Sequence, residues 1–288
     1  MLIKEPSDLK RAFENYVITS IQDIQDIIEP IQMLKNSTAL KWFESYRGQG
    51  MDTWSLEPQL IRETKDIAKI RKIESELYSR FKLLKNGEHS KYISNSISSG
   101  SSTIFETPWF DFFQMQHLGF KTRLLDWSLG WKIALYFAAS NPKYDGVNGQ
   151  FWVFFHSRDI TFNHMEILQR AAPRYLNIDP YNVEGTMFLN PHFPVEEEGK
   201  LILGTRRRLV QSGRFSIQKY EDSILPLEKQ PIFDQCLIKM IVDGNSKIKI
   251  RNELDSIGIN SDKIYYKTIN NLDQEIKEIN EEVLLKYK

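Results

Sequence analysis

Residues 149–157, GQFWVFFHS, constrain the fold more than any other segment, because large apolar side chains alternate along them with the period of a β-strand. Phe151 and Phe155 fall on one side of an extended chain, and Trp152 and Phe154 fall on the other. Aromatic side chains are also among those that strands favour. The segment therefore predicts a strand, and the fold must contain a sheet.

Apolar residues at helical spacing occur on both sides of this strand in the sequence. They predict helices at residues 6–28, 58–85, 107–119 and 131–140 and a last helix at the C-terminal end. Further strands are predicted at residues 40–46, 208–218 and 232–244, with a strand that passes into a helix at residues 247–259. Residues 122–128, TRLLDWS, predict a short irregular link, and the polar residues 92–103 predict a surface loop. Since no repeat is present, the chain is predicted to be one mixed α+β domain with a central, antiparallel-rich sheet.

Charge and composition exclude several classes of protein. The 288 residues contain 38 Lys plus Arg and 38 Asp plus Glu, so no net field attracts polyanions or anionic membranes, and neither nucleic acid nor a membrane is expected as a general partner. The longest apolar runs, such as residues 133–139, are too short to cross a bilayer. The N-terminal residues lack the apolar segment of a secretory signal, and a single cysteine, Cys236, cannot form an internal disulfide. A cytoplasmic location is expected.

The common catalytic templates are missing from the sequence. The five histidines are scattered, without an HExxH or paired CxxC spacing, so no metal cofactor is expected. GxGxxG, Walker A and GxSxG motifs are also missing. Cys236 lies in an apolar strand pattern, which is typical of a buried structural thiol rather than a nucleophile.

Arg47 is the first candidate for a functional side chain, in the run Tyr46-Arg47-Gly48-Gln49. A guanidinium at the end of a strand, beside a glycine that permits close approach of a ligand, suits bidentate binding of phosphate. The alternative is a buried ion pair with Glu76 or Asp126. The two roles are compatible.

A second polar cluster occupies residues 114–128. Asp126, Trp127 and Ser128 directly precede a predicted helix, where free backbone amides favour anionic or hydroxyl-rich ligands. Arg123 lies three residues before Asp126, so the two side chains are candidates for a scaffolding pair. His117 is either a ligand-binding residue or a group that satisfies the last carbonyls of its helix.

Five segments of the chain resemble, in order, the FRG domain family, which is named for its aromatic-Arg-Gly start. They are YRGQ, the spacing from Glu74 to Phe81, QMQHLGFKTRLLDWSLGWKIALYFA, GQFWVF and RRRLVQSGRF. The similarity runs from about Leu40 to Tyr266. It implies an FRG domain at residues 36–268, with an N-terminal helical extension at residues 1–35 and a C-terminal helix at residues 269–288.

The order of these segments is also similar, more distantly, to the layout of arginine-type ADP-ribosyltransferases, and it implies their fold and NAD as a possible substrate. In those enzymes a first-strand arginine holds the NAD phosphate, a serine-containing turn shapes the nicotinamide pocket and a late glutamate stabilises the ribosyl cation. Arg47 and Ser128 match the first two. Gln211 occupies the place of the glutamate and supplies only a dipole, so the missing charge is assigned to Glu76 or Asp126.

The resemblance implies two sets of site residues. The catalytic set is Arg47, Glu76, Asp126 and Gln211. The nucleotide-binding set is Tyr46, Arg47, Gly48, Gln116, His117, Thr122, Arg123, Trp127 and Ser128. For Gln211, a structural role in a turn is the alternative.

Two functions are compatible with this pattern. In the first, the chain binds a nucleotide, NAD, and transfers or hydrolyses its ADP-ribose part, as a toxin or phage-defence effector in a bacterial cell, with a protein, a nucleic acid or water as acceptor. In the second, the chain is a noncatalytic sensor or protein-interaction module, and its polar network holds the fold or recognises a partner.

Overall fold

The computed structural model describes residues 6–37, 42–93, 108–157, 161–163, 179–190, 213–264 and 271–288. Helices α1 to α7 span Pro6–Phe13, Ile21–Ser37, Gln59–Glu63, Ile67–Asn86, Ser90–Ile93, Pro108–Leu118 and Trp131–Ala139. Helices α8 to α11 span Tyr220–Ser223, Lys247–Ser256, Ser261–Ile264 and Leu272–Lys286. Strands β1 to β8 span Val17–Ile18, Trp42–Gln49, Leu125–Ser128, Gly149–Ser157, Thr161–Asn163, Met187–Asn190, Gly213–Ile217 and Leu237–Val242.

The described strands form one sheet in the order β1-β8-β4-β2-β3-β7-β6-β5. Strands β1 and β5, at the two edges, pair in parallel with their neighbours, whereas the inner pairings are antiparallel. The predicted α+β class and antiparallel-rich sheet are therefore confirmed. The clearest predicted strand, residues 149–157, is β4 in the middle of the sheet, paired with β2 and β8.

The sheet is buried on both faces. On one face, α1, α2, α7 and α9 pack against β2, β4 and β8, and α4, α6 and α11 pack against β6 and β7. On the other face lies an aromatic cluster that includes Trp127, Trp152, Phe154 and Phe188. Adjacent residues of a strand point to opposite faces, which is why Phe151 joins the first layer and Trp152 the second.

Two long helices of the sequence prediction are interrupted. The helix predicted at residues 6–28 is wrong as a single element, because Asn15 has a left-handed backbone (φ 61°) that a right-handed helix cannot continue. Val17 and Ile18 then pair with β8. The helix predicted at residues 58–85 breaks between α3 and α4, where Asp66 caps α4 by accepting from the amides of Ala68 and Lys69 at 2.9 and 3.1 Å.

Three shorter predictions were also wrong. Residues 125–128 of the predicted link form β3, because Leu125 and Trp127 alternate with polar residues and pair with β7. The strand predicted at residues 232–244 begins only at β8, because Pro231 starts a 3₁₀ turn and has no N–H for a sheet. Residues 247–256 are helical because Ile250 and Leu254, four apart, are both buried. Residues 94–103 of the predicted loop lie outside the described part of the chain.

Candidate functional site

A cavity of about 250 Å³ lies where the sheet opens between β2 and β3. Strand β2 is paired with β4 along its whole length, from Trp42 to Gln49, but with β3 only through Tyr46 and Ser128. Among the described residues no other pair joins the two strands, and the cleft lined by both of them lies beside this single pair. The cavity is lined by Tyr46, Arg47, Gly48, Gln49, Gly50, Trp54, Arg62, His117, Asp126, Trp127, Ser128, Ala134, Phe137, Gly213 and Phe215.

The Arg47 guanidinium bridges this cleft. Its Nη1 donates a hydrogen bond to the main-chain oxygen of Asp126 at 2.5 Å. Its Nε is buried and has no hydrogen-bond partner among the described residues. Burial lowers the pKa of Arg47 to about 10, against the opposing effect of the Asp126 carboxylate, and the Arg62 cation lowers it further. Arg47 therefore remains charged at neutral pH and retains a buried donor that a bound anion would satisfy.

The Asp126 carboxylate is held by a chain of polar side chains. Its Oδ2 accepts a hydrogen bond from the amide nitrogen of Gln116 at 2.6 Å. The amide oxygen of Gln116 accepts from the Thr122 hydroxyl at 2.5 Å, and that hydroxyl accepts from the amide of Leu124 at 3.1 Å. Thr122 is fully buried, whereas Asp126 is exposed to the cavity. Gln116 and Thr122, predicted as nucleotide-binding residues, thus orient Asp126 and do not line the cavity.

The Asp126-Trp127-Ser128 run is part of a strand and not a helix cap, which corrects the sequence interpretation. Helix α7 begins at Trp131, with Gly130 as its N-cap residue. The Ser128 hydroxyl accepts from the amide of Gly130 at 3.0 Å and donates to its carbonyl at 2.9 Å, so it shapes the turn into α7. The free amides of α7 therefore begin beyond these three residues.

Trp127 and Tyr46, two of the predicted nucleotide-binding residues, contribute mainly to the core. Trp127 is 2% exposed, and its indole nitrogen donates to the Ser216 hydroxyl at 2.9 Å. Tyr46 is also 2% exposed, and its ring lies against Phe151 with 5.9 Å between centroids. Burial raises the pKa of Tyr46 well above its ordinary value, so its hydroxyl stays neutral. Each presents only a small part of its surface to the cavity.

His117 comes from the last turn of α6. It is half-buried, and its ring lies edge-on to Phe215 with 5.5 Å between centroids. Phe215 is the cross-strand partner of Asp126, so both side chains lie on the same face of the sheet. The end of α6, β3 and β7 therefore meet at one wall of the cavity.

Residues 44–146 match the family model described as the FRG domain. This part of the chain is similar to the FRG domain. The match covers a little over a third of the sequence, and no curated protein and no solved structure matched the chain. The matched range holds most of the cavity lining, including Arg47, Arg62 and Asp126, while Gly213 and Phe215 lie beyond its end.

Arg123 and Glu76, two predicted site residues within the matched range, do not line the cavity. Arg123 is fully buried, and its Nε donates to Glu74 at 3.0 and 3.1 Å. Its other nitrogens donate to the carbonyls of Gln218 and Pro180 at 2.6 and 2.7 Å. The prediction that Arg123 pairs with Asp126 is wrong, because the Arg123 guanidinium forms its ion pair with Glu74 of α4. Arg123 is therefore a structural residue.

Glu76 was predicted as a source of catalytic charge, but it does not line the cavity. Its Oε2 accepts from Lys286 at 2.7 Å and from the Tyr287 hydroxyl at 2.8 Å, and these bonds lower the pKa of Glu76. Glu76 therefore ties α4 to the end of α11. Gln211, the other predicted catalytic residue, lies outside the described residues.

Gly48 lines the cavity and also has a packing role that the sequence did not predict. A Cβ at Gly48 would lie 1.7 Å from the carbonyl oxygen of Ala134 and 2.7 Å from the amide nitrogen of Ala138. The absent side chain therefore makes room for helix α7, which contacts β2 closely.

Sequence reasoning missed Arg62, Trp54 and Phe137 as lining residues. Arg62 belongs to a charged segment with helical periodicity, and nothing in the sequence distinguishes it from the other basic residues of that segment. Trp54 follows the Arg-Gly motif by a few residues and is 36% exposed, with its ring edge-on to Tyr144 at 5.3 Å. A tryptophan a few residues after the Arg-Gly motif was the signal that the sequence offered.

Two further observations bear on the class of protein. No group of three or more His, Cys, Asp or Glu side chains among the described residues is arranged to hold a metal ion. Within the same ranges, every helix is too short or too polar to traverse a bilayer.

Proposed function

We propose that this FRG-domain chain binds a nucleotide, NAD, in the cavity between β2 and β3. The observation that carries the proposal is the Arg47 guanidinium, which bridges the cleft with a buried Nε that has no partner among the described residues. A phosphate oxygen is the acceptor that such a group binds best. The exposed ring of Trp54 offers a surface on which a base can stack.

The size of the cavity limits how the ligand sits. Typical ligand pockets measure roughly 300–1,000 Å³, and this one measures about 250 Å³. It therefore encloses part of a dinucleotide and leaves the remainder at its mouth. In our proposal the enclosed part includes the phosphates at Arg47 and the sugar nearest to Asp126.

The proposed reaction breaks the bond between the nicotinamide nitrogen and C1′ of the ribose. Nicotinamide leaves with the bonding electrons as a neutral molecule, and positive charge develops on the ribose. An acceptor hydroxyl, from water or another molecule, then bonds to C1′ and releases its proton. The Asp126 carboxylate, fixed by Gln116, is the negative group in the cavity that stabilises the developing cation.

The proposal is tested with purified protein, NAD and a chromatographic measurement of released nicotinamide. Asp126→Asn keeps the shape of the side chain and an oxygen for Gln116, but removes the charge. We expect it to lower kcat about a hundredfold or more while the melting temperature is kept. Asp255→Asn, an exposed carboxylate in α9, is the matched control and should release nicotinamide at the wild-type rate.

Arg47 is tested by binding rather than by turnover. Arg47→Gln removes the charge and Arg47→Lys keeps it without the planar fork, so NAD affinity should fall in the order wild type, Lys, Gln. Binding of NAD without nicotinamide release would favour the sensor function. An absence of both binding and release would refute a nucleotide site.

We also propose that the activity is toxic to a bacterial cell because it consumes NAD. Expression of the wild-type chain should slow growth and lower cellular NAD, and Asp126→Asn should relieve both effects. Equal slowing by the two proteins at equal expression would contradict this role.

A further inference from the structure

Arg62 is a second guanidinium at the same cavity, and its position is fixed by the fold. It lies in α3, where Leu60 and Ile61 are fully buried. The amide of Leu60 donates to the carbonyl of Thr122 at 3.3 Å, which attaches α3 to the segment that leads into β3. Arg62 itself is exposed and lines the cavity that also contains Arg47.

The acidic residues next to Arg62 are engaged by lysines. Glu57 forms an ion pair with Lys65, and Glu63 forms one with Lys121. Among the described residues, the Arg62 guanidinium forms neither an ion pair nor a hydrogen bond. Partial burial lowers the pKa of Arg62, although the carboxylates of Glu57 and Asp126 oppose the shift. Within the described part of the chain, this cation is therefore available to a ligand.

The charges on the cavity wall indicate the ligand class. The charged side chains among its described lining residues are Arg47, Arg62 and Asp126, with His117 as a titratable neighbour. One guanidinium is sufficient for one phosphate. A diphosphate supplies one phosphate to each of two guanidiniums, whereas a monophosphate has a single phosphate for both.

We propose that Arg62 binds the second phosphate of a diphosphate, so that the site selects ADP-ribose-type ligands over nucleoside monophosphates. The inference rests on the proposed nucleotide site at Arg47 and assigns its specificity. ADP-ribose and AMP carry similar total charge near neutral pH, but only ADP-ribose distributes it over two phosphates. A difference in affinity between ADP-ribose and AMP therefore reports the arrangement of the two arginines and not the net charge of the cavity.

The experiment measures the dissociation constants of ADP-ribose and AMP by calorimetry. The proteins are the wild-type chain, Arg62→Gln, Arg62→Lys and Arg11→Gln. Arg11 is a matched control because it is an exposed arginine of α1 that pairs with Asp8 and lies outside the cavity. Thermal melts establish that each variant is folded.

We expect the wild-type chain to bind ADP-ribose at least about tenfold more tightly than AMP, the value of one charge-assisted hydrogen bond. Arg62→Gln should lose about tenfold in ADP-ribose affinity and change AMP affinity less than threefold. Arg62→Lys should lie between, because it keeps the charge without the fork. Arg11→Gln should match the wild type for both ligands.

The outcomes separate this inference from the proposed function. If the wild-type chain binds ADP-ribose and Arg62→Gln weakens both ligands equally, or neither, the assignment of Arg62 is wrong and the nucleotide site stands. If the wild-type chain binds neither ADP-ribose nor NAD, the nucleotide site itself is refuted.

Discussion

Replacing Gly48 with alanine tests how β2 and α7 are joined beside the cavity. The added methyl group would lie 1.7 Å from the carbonyl oxygen of Ala134 and 2.7 Å from the amide nitrogen of Ala138. Both are backbone atoms of α7, so no side-chain rotation relieves the overlap. The helix would have to move by roughly 1.3 Å or more to reach the closest contact that packed carbon and oxygen atoms tolerate.

The cost of that movement is large because α7 is buried. Ile133, Leu135 and Ala139 are at most 6% exposed and pack in the layer over β2 and β4. Overpacking a core costs about 1–3 kcal/mol where side chains can adjust, and here a backbone must shift. We therefore expect Gly48→Ala to lower the free energy of unfolding by about 3 kcal/mol or more. The melting temperature should fall by roughly 5–10 °C.

The assay is urea unfolding followed by tryptophan fluorescence, with Gly213→Ala as the control. Gly213 lines the same cavity, but a Cβ there has no atom of the described residues within 4 Å, so this variant should unfold within about 0.5 kcal/mol of the wild type. Equal stability of the two variants would refute the packing argument. If Gly48→Ala then lost only nucleotide affinity, Gly48 would face the ligand after all.

Three further predictions concern groups away from the cavity. Glu74→Gln leaves the buried Arg123 cation without its carboxylate and should cost about 3–5 kcal/mol in the free energy of unfolding by urea. Burial raises the pKa of Cys236, so at pH 7.5 iodoacetamide should alkylate it more slowly than free cysteine, with full reactivity in denaturant. Hydrogen bonds from Arg251 lower the pKa of Asp145, so this pair stabilises the fold above the ordinary carboxyl pKa of 3.8 and the stabilisation is lost as the pH falls through the lowered value. The pair is partly exposed. Asp145→Asn should therefore reduce the difference in the free energy of unfolding between neutral and acid pH by less than about 1 kcal/mol.

The parts of the fold that the sequence predicts are those set by local periodicity. Strand β4 and helix α7 are dense in apolar residues, and their patterns have one interpretation each. The apolar stripe over residues 6–28 has two interpretations, because Val17 and Ile18 fit a helix as well as they fit a strand. Only their pairing with β8 decides for the strand. That partner is more than two hundred residues away in the chain, so local pattern does not contain it.

The candidate site shows the same division. Arg47 was predicted from its place at a strand end, and Asp126 and Ser128 from their place before a helix, and all three line the cavity. Arg123 was predicted to form a scaffolding pair with Asp126 and was placed in the nucleotide-binding set by the resemblance. It is a structural residue whose partner is Glu74 of α4, a contact that sequence does not reveal. A buried ion pair and a ligand-binding arginine have the same local signature, and only tertiary contacts distinguish them.

The cleft persists because its two walls are attached to different parts of the core. Tyr46 of β2 belongs to the layer that contains α7, whereas Phe215, the partner of Asp126 across β3 and β7, belongs to the layer that contains α4 and α6. Arg123, two residues before β3, is fixed to α4 by Glu74. Each wall is therefore positioned by its own helices, and the Arg47 hydrogen bond to the Asp126 carbonyl crosses between them. A bound diphosphate that engaged both Arg47 and Arg62 would link the same two walls, so ligand binding and the width of the cleft must be thermodynamically coupled.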